Sequence, residues 1–109
     1  MSAALFLAQR LTAAILAIAV LVHLVLIIAA ERAGLTAGAI LARTHHNLVL
    51  LAFYVVFVIA ASVHAPIGLR NVLVEWGGLK GRGLDAAMAV LVMLLLGLGL
   101  TAAFAVYAA

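Results

Sequence analysis

The sequence predicts an all-α fold, an integral membrane bundle of three transmembrane helices forming one domain over residues 1–109, and three observations carry that prediction. First, 71% of the residues are hydrophobic and only 8% are charged, against about a quarter charged in a soluble domain. Such a chain cannot cover its own surface in water. Second, the runs Leu11 to Ala30, Thr44 to Leu69 and Ala86 to Ala109 hold no formal charge. Each reaches the roughly twenty residues that a helix needs to cross a bilayer at about 1.5 Å per residue. Third, no run alternates apolar and polar residues as a strand does, and backbone in lipid must satisfy its own hydrogen bonds.

The first span is expected at about residues 4–30. Its apolar stretch after Arg10 is long enough to cross the bilayer, so it reads as a span rather than a cleaved signal. Gly34, Thr36 and Gly38 mark a connection over Glu31 to Arg43. The second span is expected at about 44–68, with Thr44 as a reasonable N-cap. A second connection, Arg70 to Gly83, holds the flexible run Gly77-Gly78-Leu79-Lys80-Gly81-Arg82-Gly83. The third span is expected at about 84–108, with Asp85 placed to favour the positive end of its dipole. Ala13, Ala14, Ala17 and Ala19 on the first span, and Gly97 and Gly99 on the third, suit close helix packing in lipid.

Three spans put the N-terminus and the second connection on one side, with Arg10, Arg70, Lys80 and Arg82; Arg32 and Arg43 lie on the other. The bias predicts a cytoplasmic N-terminus. The chain has no cysteine, which excludes disulfides, zinc-thiolate sites, iron–sulfur ligation and c-type haem attachment within it. Basic residues scattered between apolar runs make no nucleic-acid patch.

Chemistry concentrates between Ser62 and Trp76, which gather His64, Pro66, Gly68, Arg70, Glu75 and the single tryptophan. Ala60, Ala61 and Gly68 share the helix face of His64. They leave room for a wide flat ligand such as a porphyrin, whose iron accepts imidazole. Arg70 follows at the membrane surface, where a guanidinium can pair with a propionate. Pro66 removes one helical hydrogen bond and is expected to tilt the helix end. The plainer reading of His64 is an interfacial histidine bonded to a backbone carbonyl. Arg10 also reads as a snorkelling arginine, Trp76 as an aromatic-belt anchor, and His45 and His46 as solvated or capping residues, with a site shared with His23 left open.

The pattern His64-x-x-x-Gly68-x-Arg70, followed by Glu75, resembles the haem-binding segment of the membrane-anchor subunits of succinate dehydrogenase and fumarate reductase. Gln9-Arg10-Leu11-Thr12 is similar to the pair that opens the family's first helix. The resemblance implies haem b, a quinone (ubiquinone or menaquinone), and partners: a flavoprotein subunit with FAD, an iron–sulfur subunit, and a second membrane-anchor subunit. It implies His64 as axial ligand, Arg70 at a propionate, and Arg10, Glu75 and Trp76 near a quinone pocket in the bacterial cytoplasmic membrane. This chain has Glu75 where the family usually has Asp, Trp76 where one subunit type has Tyr, and Phe6 where the family has a quinone-site Ser. An indole N–H still donates one hydrogen bond but delivers no proton as a phenol does. No catalytic dicarboxylate site is expected.

His23 lies about 20 Å deeper than His64 at 1.5 Å per residue. It is therefore either a ligand to a second haem, as in di-haem members of the family, or a polar cross-helix contact. No other histidine reaches the depth of His64, so a second axial ligand is expected from another chain. Two competing classes are a haem-free structural anchor and a small multidrug-type transporter. The transporter needs four spans and a carboxylate inside the first, and the acids Glu31, Glu75 and Asp85 sit at or beside the connections, none of them inside the first span.

Overall fold

Long charge-free runs become long helices. The computed structural model describes residues 2–109 and has the order α1 (Ala3–Ala33), α2 (Ala37–Thr44), α3 (Leu48–Gly77) and α4 (Arg82–Ala108). There is no strand among the described residues. Helices α1, α3 and α4 are each long and apolar enough to cross a membrane, as the sequence predicts.

The molecule is an elongated bundle of 47 × 22 × 22 Å. Helix α3 is its middle member, packed against α1 on one side and α4 on the other, while α2 bridges α1 and α4 at the far rim. Both seams are antiparallel. Along α1–α3, Thr12 meets His64 and Gln9 meets Gly68, while His23 meets Tyr54 and Phe57. Along α3–α4, Val58 meets Gly99 and Arg70 meets Asp85. The buried residues are small: Ala19, Ala60, Ala103, Ser62 and Pro66 among those described. Large aliphatic side chains such as Ile18, Leu21 and Val25 point outward. That inversion of a water-soluble core is what lipid demands, because backbones that approach closely supply the packing energy.

Three boundaries differ from the sequence reading. Helix α3 does not end near residue 68. It continues through Arg70, Glu75 and Trp76 to Gly77, so His64 is not one turn from the helix end. Pro66 does not break it: Pro66 and Ser62, whose carbonyl loses its partner, are both buried between helices, and such burial is how spanning helices tolerate proline. The helix stops where Gly78 takes the left-handed conformation at φ 67°, and Leu79 N–H donates to Leu73 O at 3.1 Å. Second, the first connection contains α2, capped by Thr36, whose hydroxyl accepts from Ala39 N–H at 3.1 Å. Third, Thr44 closes α2 and does not open α3. Asn47 is the N-cap of α3, its side-chain oxygen accepting from Leu50 N–H at 3.1 Å.

Candidate functional site at the N-terminal rim

Helix periodicity brings two pairs of residues face to face near the rim that holds the N-terminus. On α1, Gln9 and Thr12 are one turn apart; on α3, so are His64 and Gly68, and each pair shares a face. The Thr12 hydroxyl oxygen lies 3.2 Å from His64 Nδ1. One turn nearer the rim, a Cβ added at Gly68 would sit 3.2 Å from Gln9 Nε2. The gap beside Gly68 that the sequence assigned to a flat ring is therefore filled by the flexible end of the Gln9 side chain of α1. Gln9 Oε1 is buried without a partner among the described residues.

Thr12 has one hydroxyl proton and three polar neighbours. Its Oγ1 is 2.7 Å from Ala8 O and 3.2 Å from Gln9 O. Both are acceptors only, so the proton goes to Ala8 O, at the usual length of an O–H to O bond. That leaves an oxygen lone pair toward His64, and which group donates across the 3.2 Å contact follows the imidazole tautomer. In neutral imidazole the Nδ1–H tautomer leaves Nε2 with the free lone pair.

Arg70 does not join His64. Six residues along a helix place the two about 120° apart, and Arg70 turns to α4, where Nε donates to Asp85 Oδ1 at 2.8 Å. The pair is half-open to its surroundings, with side-chain exposures of 29% and 58%. It borders a groove of about 300 Å³ walled by Leu5, Pro66, Ile67, Met88 and Val92. Sequence reasoning assigned Asp85 to the helix dipole and missed this partnership; the short glycine turn between α3 and α4 was the available signal. Arg10 is exposed, its guanidinium carbon 5.9 Å from the centre of the Phe6 ring. Glu75 is exposed, and Trp76 is 86% exposed in the last turn of α3. Among the described residues no hydrogen bond or ion pair joins Arg10, Glu75 and Trp76.

His23 lies on the same seam at a different level; between Thr12 and His23, α1 rises about 17 Å. Its ring meets Tyr54 and Phe57 edge-on, with centroids 5.7 and 5.2 Å away, and its Nδ1 is buried without a partner among the described residues. His45 and His46 stand apart from it at the far rim. Their rings are 3.9 Å apart. His46 has φ 51° and donates its backbone N–H to Tyr107 O at 2.9 Å.

His64 is the one imidazole at this level among the described residues, and Thr12 engages one of its two ring nitrogens. Among the described residues no three His, Asp or Glu side chains cluster, so an ion finds no cage. Haem iron needs only axial donors from protein, and a histidine with Nδ1 tied and Nε2 free is the form that binds metal.

A family model described as the succinate dehydrogenase/fumarate reductase transmembrane subunit matches residues 1–104. No curated protein and no solved structure gives a match.

Proposed function

The chain belongs to the succinate dehydrogenase/fumarate reductase transmembrane-subunit family, and from that premise we propose that it is the haem b-binding anchor of such a complex. His64 holds the haem through Nε2. The observation that supports this is the Thr12–His64 contact, which engages Nδ1 and leaves Nε2 outside it. A further donor to the iron would come from a second anchor chain, since His23, His45 and His46 lie elsewhere. A bound haem would supply one-electron storage near the quinone. His23, with its orphaned buried Nδ1, is the candidate ligand for a second haem at the deeper level.

The chain's own residues do the rest by position. Arg70, Lys80 and Arg82 cluster at the rim that holds the N-terminus, a charge pattern that orients this rim to the cytoplasmic side of a bacterial membrane. The iron–sulfur and flavoprotein subunits dock there. Glu75 and Trp76 project from it, while Arg10, level with Pro66 and Ile67 by the Thr12–His64 and Gln9–Gly68 register, lies about 13 Å deeper. A quinone pocket, ubiquinone or menaquinone, forms beside Arg10, and Glu75 and Trp76 stand at its outer mouth, with partner surfaces closing the space between. Arg10 offers charged donors to a quinone oxygen, and Trp76 a single N–H.

The test is His64→Ala in the assembled complex, read by the b-type absorbance of the reduced pyridine haemochrome. Loss of that absorbance with the complex intact is expected. Unchanged absorbance with normal assembly refutes the haem reading and leaves a structural anchor.

A further inference from the structure

We propose that Thr12 is the positioning residue for His64: its hydroxyl accepts from Nδ1–H, fixes the imidazole tautomer and aims Nε2 at the iron. The inference rests on the reading of His64 as haem ligand and adds a residue on a different helix to it.

The geometry carries it in three steps. Hydrogen-bond accounting comes first. With Ala8 O at 2.7 Å and His64 Nδ1 at 3.2 Å, the hydroxyl proton stays on the shorter bond, and the longer one runs from imidazole to hydroxyl. The reverse arrangement puts the proton on Nε2 and removes the lone pair that a metal needs. Orientation comes second. The Gln9 side-chain amide lies over the bare face of Gly68 one turn away, so α1 and α3 face each other at this level, and Thr12 approaches the ring from a helix. Polarity comes third. In lipid no water competes for Nδ1–H, so the neighbouring hydroxyl decides the tautomer. A hydrogen bond to the non-ligating nitrogen also makes the imidazole a stronger donor, which favours the oxidised iron.

Thr12→Val keeps the shape and deletes the acceptor. In the purified complex, haem retention under a detergent wash is expected to fall about tenfold, the low end for losing an outer partner of a metal-binding histidine. The midpoint potential of the haem that remains is expected to rise. Thr12→Ser restores both. Thr12→Ala removes the hydroxyl without adding bulk and carries the same expectation as the valine, so a folding defect in one variant does not hide the result. If His64→Ala loses haem while the valine and alanine variants match wild type in retention and potential, Thr12 only packs and the proposal fails. If His64→Ala keeps its haem, the ligand assignment itself fails and the proposal goes with it.

Discussion

One added methyl group at Gly99 tests how the membrane bundle is held together. A Cβ built there lies 2.5 Å from Val58 Cγ1, 3.0 Å from Cγ2 and 3.3 Å from Cβ. Carbon atoms rest at about 3.5–4.0 Å, so the nearest contact is short by about 1 Å or more. Valine cannot rotate away, because both methyl groups and the carbon that bears them are in contact and its χ1 is stiff in a helix. Helix α4 must retreat from α3. Overpacking of this kind costs about 1–3 kcal/mol. Gly97, two residues earlier, supplies the control. A Cβ there meets nothing within 4 Å, so Gly97→Ala carries only the helix-propensity gain of up to about 1 kcal/mol. The two variants are compared by reversible titration with SDS in mixed micelles, reading helical circular dichroism. Gly99→Ala is expected to be less stable than Gly97→Ala by about 1–3 kcal/mol, and Val58→Ala combined with Gly99→Ala to recover most of the loss. Equal stability of the two alanine variants refutes the close-approach account of the α3–α4 seam.

Two other perturbations test the local chemistry. Asn47→Ala removes the side-chain acceptor that caps α3 and is expected to destabilise by about 0.5–2 kcal/mol; the same SDS titration measures it, and no change refutes Asn47 as the cap. For Arg70 and Asp85, a double-mutant cycle to alanine is expected to return a coupling of only about 0.2–1 kcal/mol that shrinks as salt is raised, since both side chains are substantially open. A salt-independent coupling of several kcal/mol would show that the pair is enclosed by another surface.

The spans were legible because absence of charge over twenty residues has one cheap solution in lipid. The ends were less so. Charge at Arg70 marks the edge of the hydrocarbon, which is not the end of a helix: α3 needs neither lipid nor an apolar sequence to continue to Gly77. Pro66 sits inside α3 without ending it, since its missing donor matters less where neighbours bury the defect. Helix α2 hid behind Gly34, Thr36 and Gly38, residues that signal a loop until Thr36 is seen as a cap. His64 stood out as a lone imidazole among aliphatics, but its partner Thr12 was a matter of register between helices, which sequence spacing within one helix does not encode. The same holds for Arg70 and Asp85, and for Gln9, whose side chain fills the face that Gly68 leaves bare.

The continuation of α3 past Arg70 has a thermodynamic consequence. From Arg70 to Gly77 the helix rises about another 10 Å, so Glu75 and Trp76 are mounted on a rigid post. A loose turn would have to surrender about 1–2 kcal/mol of backbone freedom per residue on meeting another protein. Here that loss is already incurred when the bundle folds. An incoming surface meets an indole whose main chain is set in advance, and contact area made there converts to affinity with little discount.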